Sequence, residues 1–306
     1  MVTPLVSVLT VTHDRRELLR RKLESLRGQT LAADMFEWVV CVNGDSDGSR
    51  EFLAAQDTPF SLTVLYHEEN RPIAEARNRC AEEARAALLL MSDDDCLLPP
   101  GCLAAHLAAH EAHPPPGAVV IGPLRLPEKL RLGRRREPFE QGFDLGGRGL
   151  WINATGANSS LPAAAFRRVA GYDETFRAYG GEDPDLALRL RSLGLVFRVA
   201  PQAFAYHAAR QLGREGERKA YLAGMAHWRV YRRHPSVEVG LLLGVHPLLL
   251  PLKRLAFTTL FRCLFPAERV AYEHSYLAGV LSARRLESSR PAEETPLPDI
   301  TPTPDL

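Results

Sequence analysis

Three consecutive aspartates, Asp93 to Asp95, follow an apolar run that extends from Ala87 to Met91. That run predicts a buried strand, and the helical pattern of residues 74–85 before it makes the strand one end of a βαβ unit. Adjacent carboxylates repel one another unless a cation lies among them, and ligands bind at the carboxyl edge of open α/β sheets. The triplet therefore predicts a site for a divalent cation that carries a phosphate, with a solvated acidic turn as the alternative.

A second acidic group lies at residues 180–185, ahead of a helical pattern in residues 186–193. Pro184 suits the first position of a helix, so Asp183 is the predicted N-cap. Two glycines precede the acids, and glycine lets a ligand approach the backbone closely. A carboxylate at such a turn can accept a proton from a hydroxyl group, which makes Asp183, with its neighbour Glu182, a candidate general base.

Histidines suggest two further sites. His207 follows the apolar residues 203–206 and is either a histidine at the rim of the core or a ligand of the same metal ion. His106, His110 and His113 recur at helical spacing, which is compatible with zinc binding. No glutamate occupies the position that a zinc protease needs, so a stripe of histidines on the protein surface is the favoured interpretation.

Strand and helix patterns alternate along the first 121 residues. The predicted strands are residues 6–12, 36–42, 62–66, 87–91 and 118–121, and the predicted helices are residues 15–27, 49–55, 74–85 and 100–110. This alternation predicts an α/β fold with a mostly parallel, Rossmann-like sheet and flanking helices. A C-terminal helical segment is expected at 211–286, followed by a proline-rich acidic tail at 287–306 that we expect to be disordered.

The composition narrows the class of protein. A chain of 306 residues that is 45% hydrophobic supports one sizeable core with an appended segment. A net charge of +1, without interleaved aromatic and basic residues, argues against nucleic-acid binding. The five cysteines contain no Cys-x-x-Cys pair and indicate reduced thiols. The N-terminus lacks the pattern of a signal peptide, so a cytoplasmic location is expected.

Two segments permit alternative interpretations. The longest apolar stretch, Val239 to Leu252, covers 14 positions, too few for a helix across a bilayer. With the basic residues near it, the segment 239–265 fits either contact with the inner face of the cell membrane or a buried helix pair. Between residues 123 and 150, glycines follow a basic cluster, and this loop is either a mobile segment over an anionic site or simply solvated. The basic cluster consists of Arg131, Arg134, Arg135 and Arg136.

The order of these features over residues 6–207 resembles the inverting glycosyltransferases of family 2, which have the GT-A fold. The opening strand and turn, residues 6–15, is similar to the start of that family, where the nucleoside binds. Residues 70–78 resemble its Asn-x-Gly…Ala-Arg-Asn segment, and residues 92–95 fit its Asp-x-Asp signature. Residues 155–160 resemble its acceptor-side loop, and residues 171–190 match its Gly-Phe-Asp-Glu…Glu-Asp…Arg-Leu block.

The resemblance implies a role for each candidate residue. It makes Asp183 the base, beside Glu182, and it places Asp95 and His207 on a metal ion, Mn²⁺ or Mg²⁺. The nucleotide of the donor would contact Thr12, Asp14, Arg15, Asn43, Asp45, Arg77, Asp93 and Asp94. The family commonly has Asp-Asp or Asp-Asn before Gly-Ser where this chain reads Val42-Asn43-Gly44-Asp45. The carboxylate that recognises the nucleobase is therefore either missing or displaced to Asn43 or Asp45.

These roles imply transfer of a sugar from a nucleotide-diphosphate sugar to an acceptor hydroxyl by a metal-assisted single displacement. The acceptor would be a carbohydrate, a lipid-linked compound or another hydroxyl compound, in the synthesis of a polysaccharide, glycolipid or other glycoconjugate. The GT-A domain is predicted over residues 1–210, with a donor-binding half at 1–122 and an acceptor-side half at 123–210. Two other classes stay open: a metal-dependent nucleotidyl enzyme and a non-catalytic, glycosyltransferase-like binding module.

Overall fold

The computed structural model describes residues 3–113, 117–125, 149–208, 214–257 and 265–288. The chain forms two compact units. The first contains Met1–Tyr172 and Leu186–Ala209, and the second contains Asp173–Asp185 and Arg210–Leu306. The predicted basic loop around Arg131 to Arg136 lies outside the described residues, as do residues 289–306 of the predicted tail. The predicted boundary between donor and acceptor halves stays a prediction.

The first unit is built on strands. They are β1 (Val6–Thr12), β2 (Phe36–Asn43), β3 (Ser61–His67), β4 (Leu88–Met91), β5 (Cys96–Leu97), β6 (Ala118–Ile121), β7 (Leu124–Arg125), β8 (Ser159–Pro162), β9 (Val196–Val199) and β10 (Ala205–His207). Seven of them form one sheet in the order β3-β2-β1-β4-β8-β6-β9, and three form a second in the order β5-β10-β7. Neighbours in the larger sheet are parallel except at β8, which is antiparallel to both β4 and β6. The mostly parallel α/β sheet is thus as predicted.

The helices of the first unit follow the predicted alternation. The described helices of the chain are α1 (Arg16–Arg27), α2 (Ser49–Ala54), α3 (Ile73–Glu83), α4 (Cys102–Glu111), α5 (Ala163–Arg168), α6 (Glu182–Ser192), α7 (Arg214–Arg233), α8 (Val237–Leu242), α9 (Leu249–Leu255) and α10 (Ala267–Ser288). Each predicted element of the first 121 residues occurs, and its ends lie within two residues of the prediction. In this part of the chain, the periodicity of apolar residues was therefore sufficient to locate the strands and helices.

The core of the first unit lies around β1 and β2. Every residue of β2 is buried, as are six of the seven residues of β1, as expected for parallel strands that are covered on both faces. Helix α1 buries Leu19, Leu23 and Leu26 in the same core as Trp38. These leucines recur at intervals of three and four residues, which places them on one face of the helix.

Strand β8 is the main difference from the predicted sheet. Ser159 and Ser160 interrupt the apolar pattern by which buried strands are recognised, although both are buried here. The strand is inserted between β4 and β6, with Ser160 opposite Leu90 on one side and opposite Val120 on the other. The resulting mixed sheet carries two polar side chains into its interior, and these need hydrogen-bond partners.

The second unit is helical in its described part and contains the predicted C-terminal helical segment. Helices α7 and α10 pack closely because each contributes a glycine at the contact. A Cβ atom on Gly224 would lie 2.1 Å from Tyr276 O, and one on Gly279 would lie 2.0 Å from Tyr221 O. Helix α10 extends to Ser288, two residues into the predicted tail.

Helices α8 and α9 are amphipathic rather than buried. Val239 and Leu250 are buried, whereas Leu248 is 76% exposed and Leu252 is 61% exposed. A fully buried helix pair therefore does not describe residues 239–257. Among the described residues, no helix is both long enough and apolar enough to cross a bilayer.

Two histidines of α4 supply the partners that Ser160 of β8 needs, while Ser159 Oγ accepts from Thr155 N at 3.1 Å. His106 is fully buried and His110 is half-buried, so a surface stripe is the wrong interpretation for both. Ser160 Oγ lies 2.8 Å from His106 Nδ1 and 2.8 Å from His110 Nε2. Asn158 Nδ2 donates to Ala203 O, and this contact leaves Asn158 Oδ1 to accept from His106 Nε2 at 3.1 Å.

Burial lowers the pKa of His106 and of His110 to about 4. In the unfolded chain, histidine has an ordinary pKa of about 6.5. Between these two values the unfolded state binds more protons than the folded state. The contribution of these histidines to folding stability is therefore fully present above pH 6.5 and is lost as the pH decreases towards 4, by about 3 kcal/mol for His106 alone.

Replacement of His106 by glutamine removes this titration. We expect His106→Gln to be about 1–3 kcal/mol less stable at pH 7, because the hydrogen bonds to Ser160 and Asn158 are disturbed. Between pH 6.5 and 4, the variant should lose less further stability than the unmodified protein. Urea unfolding at fixed pH, followed by circular dichroism, measures both values, with His274→Gln on the exposed surface of α10 as the control. An unchanged pH dependence in His106→Gln would contradict this assignment.

Candidate active site

The aspartate triplet lies at the carboxyl ends of β1 and β4. Ser92 N donates to Leu9 O at 2.9 Å, which continues the pairing of the two strands. Thr10 Oγ1 donates to Ser92 O at 2.9 Å. Thr12 Oγ1 donates to Asp94 Oδ2 at 2.8 Å. Side chains two residues apart in a strand point to the same side of the sheet, so Thr10 and Thr12 lie on one face of β1. Together they bind Ser92, at the start of the loop that contains the triplet, and Asp94, in the middle of that loop.

Asp94 is bound by the protein itself. Its carboxylate is buried, and Arg15 Nη1 donates to Asp94 Oδ1 at 3.0 Å. Burial raises the pKa of Asp94 to about 6, while Arg15 and Thr12 act in the opposite direction. Thr12, Arg15 and Asp94 were predicted as nucleotide contacts, and the structure brings all three together beside the triplet.

Strand pairing brings His207 to Asp95. Strand β10 is antiparallel to β5, and His207 lies opposite Cys96 in that pairing. Ala208 N donates to Asp95 O at 2.7 Å. As a result, His207 Nε2 lies 3.5 Å from Asp95 Oδ1, and Arg15 Nη1 lies 3.5 Å from Asp95 Oδ2.

The donor atoms around Asp95 fit a hard divalent cation. Ligand atoms of Asp95, Cys96 and His207 lie within 4.8 Å of one another. Burial raises the pKa of the Cys96 thiol well above its ordinary value, and soft sulfur is a poor ligand for a hard cation. The carboxylate and the imidazole remain as ligands, a pair that suits Mn²⁺ and, through the carboxylate, Mg²⁺.

Arg77 contacts the first aspartate of the triplet. Its Nη2 atom lies 3.0 Å from Asp93 Oδ1, and the side chain is buried. The guanidinium lies over the ring of Tyr172, 5.3 Å from its centroid. A Cβ atom on Gly156 would lie 2.1 Å from the guanidinium carbon, so the predicted acceptor-side loop packs directly on Arg77. The predicted nucleotide residue Arg77 therefore lies between this loop and the triplet.

Asn43 organises the turn that follows β3. It is buried, and its Oδ1 atom accepts from Arg71 N at 3.0 Å. Its Nδ2 atom donates to Asn70 Oδ1 at 2.9 Å and to Arg71 O at 2.8 Å. The same Oδ1 atom lies 2.9 Å from His67 Nδ1. These contacts give Asn43 a structural role at the place where the family commonly has an acid.

The carboxylates of Asp14 and Asp45 also accept hydrogen bonds from backbone N–H groups. Asp45 accepts from Ser49 N at 2.9 Å and from Arg50 N at 3.1 Å, which satisfies the first turn of α2. Asp14 has a positive φ of 50° and accepts from Ser46 N at 2.7 Å. Hydrogen bonds from Ser46 lower the pKa of Asp14. Asp45 therefore holds the turn between β2 and α2 in shape, and Asp14, in the turn between β1 and α1, binds that same β2–α2 turn through Ser46.

The candidate base belongs to the second unit. Helix α6 begins at Glu182, and Asp185 N already donates to Gly181 O at 3.2 Å. The prediction that Asp183 is the N-cap is therefore wrong, because Asp183 lies inside the first helical turn. Glu182 and Asp185 are buried, whereas Asp183 between them is partly exposed.

Helix α7 holds this turn in place within the second unit. His234 Nε2 lies 3.0 Å from Asp185 Oδ1, and Arg229 Nη1 donates to Thr175 O at 2.6 Å. Gly180 has a positive φ of 106°, and a Cβ atom there would lie 3.0 Å from Ala223. The segment that carries Glu182 and Asp183 is thus held by side chains of α7 and by His234, the residue that directly follows this helix.

The structure adds one residue that was not predicted. Lys22 of α1 is fully buried, and its Nζ atom donates to Ser92 Oγ at 2.5 Å and to Cys96 O at 2.6 Å. A signal for it was present in the sequence, because Lys22 lies three residues after Leu19 and four before Leu26. A lysine on the apolar face of a helix needs a buried partner.

Comparison with known proteins agrees with this geometry. The sequence model described as Glycosyl transferase family 2 matches residues 7–173, and that described as N-terminal domain of galactosyltransferase matches residues 142–210. A validoxylamine A glucosyltransferase of Streptomyces hygroscopicus subsp. jinggangensis is 31% identical in an alignment of 264 positions that covers 76% of this chain and 62% of the relative. A second protein of that name, from S. hygroscopicus subsp. limoneus, is also 31% identical, over 58% of its length. The chain thus spans about three fifths of these curated relatives.

Two solved structures share the fold. A mannosyltransferase from Pyrobaculum calidifontis, in complex with GDP-Man and Mn²⁺, has a TM-score of 0.67 and 18% identity over 92% of this chain and 87% of its own. S. aureus TarS 1–349, in complex with UDP-GlcNAc, has a TM-score of 0.63 and 14% identity over 92% of each chain. These similarities confirm the predicted GT-A fold. Since the family 2 model also matches more than half of the residues, the chain belongs to glycosyl transferase family 2.

Proposed function

We propose that the protein is an inverting glycosyltransferase that moves a sugar from a nucleotide-diphosphate sugar to an acceptor hydroxyl. The observation that carries the proposal is the pairing of Asp95 with His207 at 3.5 Å, beside Arg15 and at the carboxyl edge of the sheet. Ligands of open α/β folds bind at this edge. The relatives named above are glucosyltransferases, which supports the same reaction class.

Asp95 and His207 would hold the divalent ion, Mn²⁺ or Mg²⁺, which when bound would offset the charge of the departing diphosphate. The solved mannosyltransferase was studied with Mn²⁺, which supports a divalent ion in this position. Arg77 and Arg15 add positive charge on the protein side of the triplet. The rival nucleotidyl enzyme would need a lysine or arginine in the opening loop to hold a triphosphate, and Arg15 and Arg16 are the candidates there.

The nucleotide of the donor would lie along the edge formed by Thr12, Asp14, Arg15, Asn43, Asp45, Arg77, Asp93 and Asp94. Among these, Asn43, Asp14 and Asp45 hold turns together, so they would act on the nucleotide mainly by shaping the backbone around it. Asp93 is the most exposed carboxylate of the triplet, with 32% of its side chain accessible, and it is the best placed for the ribose. The identity of the transferred sugar and that of the nucleobase of the donor stay open.

Asp183 would act as the general base. Its carboxylate would take the proton of the acceptor hydroxyl as the oxygen forms a bond to the anomeric carbon. The bond from that carbon to the diphosphate oxygen breaks in the same step, and the configuration at the carbon inverts. Glu182 would support this geometry, because Glu182 Oε2 accepts from Gly180 N at 3.2 Å and braces the turn.

Asparagine at position 95 removes the charge of the proposed metal ligand with little change in volume. We expect Asp95→Asn to weaken Mn²⁺-dependent binding of UDP or GDP by about 100-fold or more, because a carboxylate ligand is lost. Isothermal titration calorimetry with and without Mn²⁺ measures the effect, and Asp57→Asn on the exposed surface is the matched control. The metal role is refuted if the natural protein binds both nucleotides equally well with and without Mn²⁺.

Asparagine at position 183 tests the base separately from donor binding. We expect Asp183→Asn to lower turnover by about 10²–10⁴-fold, the range for loss of a general base, with donor affinity nearly unchanged. Release of nucleoside diphosphate from UDP-glucose, GDP-mannose and UDP-GlcNAc, with a panel of hydroxyl acceptors, measures the rate. Asp34→Asn, exposed in the first unit, is the control. Full turnover in Asp183→Asn would exclude this residue as the base.

If the natural protein binds donors but neither hydrolyses nor transfers them, the binding-module alternative is favoured.

We further propose that α8 and α9 contact an anionic membrane surface. Large apolar side chains are exposed on these helices and at the residue that precedes α9: Val237, Leu241, Leu248, Leu252 and Leu255. A groove of about 370 Å³ between α9 and α10 is lined mainly by leucines, together with Arg254 and Arg284. Exposed leucines beside arginines fit the boundary between acyl chains and anionic headgroups. A lipid-linked acceptor would meet the enzyme at such a surface, while the predicted cytoplasmic location stays a prediction.

Paired substitution of the two most exposed leucines tests the membrane contact. We expect Leu248→Glu with Leu252→Glu to weaken binding to vesicles of phosphatidylcholine and phosphatidylglycerol by at least about tenfold, since apolar burial is lost and negative charge is added. Vesicle flotation measures binding, with pure phosphatidylcholine for comparison and Leu5→Glu in the first unit as the control. Equal flotation of the natural and the doubly substituted protein would disprove the contact.

A further inference from the structure

Lys22 lies beneath the aspartate triplet and has no contact with solvent. Its side chain is 0% exposed, on the face of α1 that also buries Leu19, Leu23 and Leu26. Burial of an ammonium group is unfavourable unless hydrogen bonds replace its water. A residue of similar length without charge, such as methionine, would fill the same space without that cost.

The partners of Lys22 all belong to the triplet loop. Its Nζ atom donates to Ser92 Oγ at 2.5 Å, to Cys96 O at 2.6 Å and to Asp93 O at 3.2 Å. An ammonium group has three protons, so these three acceptors saturate it. Ser92 and Cys96 flank the triplet, and Lys22 therefore fixes both ends of the segment that contains Asp93, Asp94 and Asp95.

The charge of Lys22 also opposes the repulsion within the triplet. Burial lowers the pKa of Lys22, while the nearby carboxylates of Asp93 and Asp94 favour its protonated form. The loop is further held by Thr10, which donates to Ser92 O, and by a turn in which Cys96 N donates to Asp93 O at 3.1 Å. Thr10 and Lys22 thus bind the same loop from a strand and from a helix.

We propose that Lys22 is a positioning residue that holds the loop from Ser92 to Cys96 in the shape that lets Asp95 bind a divalent cation. It does not touch the ion or the donor. It acts through Cys96 O, next to Asp95, and through Ser92 Oγ at the end of β4. This inference rests on the proposed function, because it assigns Asp95 to the metal ion.

The buried carboxylate of Glu37 provides a matched control, because it lies at the end of the larger sheet opposite to the triplet. Glu37 of β2 is also 0% exposed, accepts from Ser7 Oγ at 2.6 Å and is paired with Arg85 Nε at 2.7 Å. It lies at the amino ends of β1 and β2, since Ser7 and Glu37 are paired near the start of both strands. Glu37→Gln therefore disturbs a buried charged network in the same unit without touching the triplet.

The test compares Mn²⁺ affinity with folding stability in Lys22→Met and Glu37→Gln. Mn²⁺ is titrated into each protein with saturating UDP, and separately with GDP, while the free ion is followed by electron paramagnetic resonance. We expect Lys22→Met to raise the apparent Kd for Mn²⁺ by about 10–100-fold, the range for loss of a group that orients a metal ligand. Glu37→Gln should lower the melting temperature but leave the Kd for Mn²⁺ within about twofold of the natural value.

Two further variants keep the test decisive if Lys22→Met does not fold. Lys22→Gln retains hydrogen-bond donors without the charge, and Ser92→Ala removes one of the three contacts while it keeps Lys22. Both should weaken Mn²⁺ binding, Ser92→Ala less than Lys22→Gln. Equal Kd values in the natural protein and the folded Lys22 variants would overturn the positioning role and leave the proposed function intact. Failure of the natural protein to bind Mn²⁺ with either nucleotide would overturn both.

Discussion

Repulsion among the three carboxylates of Asp93 to Asp95 is the constraint on which the rest of the site depends. Three acids at the end of one strand can be held together only by opposing charge, and the fold supplies it from separate elements. Arg15 reaches Asp94 and Asp95 from the start of α1, Arg77 reaches Asp93 from α3, and Lys22 binds the loop backbone. These contacts hold the loop from several sides, so a divalent cation would meet a preorganised carboxylate.

The fold places this cluster through strand order. Adjacent parallel strands β1 and β4 bring Thr12 to Asp94, and the small sheet of β5, β10 and β7 brings His207 from more than one hundred residues further along the chain. The acceptor-side loop before β8 then packs on Arg77 through Gly156. In the second unit, α7 fixes the turn with Glu182 and Asp183. The candidate donor residues and the candidate base are therefore each supported by a core of their own.

Much of this was predictable from the sequence. Apolar periodicity located the elements of the first 121 residues, and motif order identified Asp95, Arg77, Asp183 and His207 as candidates. The polar strand β8 was missed because the partners of its serines are not visible in the sequence pattern: Ser160 contacts histidines that only the fold brings near, and Ser159 Oγ accepts from Thr155 N. The N-cap at Asp183 was wrong because local propensity does not reveal how Asp185 bonds to Gly181. Lys22 was missed because its three partners lie about seventy residues away in the sequence. Its position among leucines indicates that it is buried, but it does not identify the groups that Lys22 binds.

The central claim is that Asp95 and His207 form a metal-dependent site for a sugar nucleotide. Thermal unfolding of the natural protein, with UDP- and GDP-sugars in the presence and absence of Mn²⁺, tests it most directly, because a ligand that binds only the folded state raises the melting temperature. We predict a rise of several degrees with at least one donor when Mn²⁺ is present, and little or none with that donor or with Mn²⁺ alone. An unchanged melting temperature across all donors with Mn²⁺, or an equal rise without it, would contradict the claim.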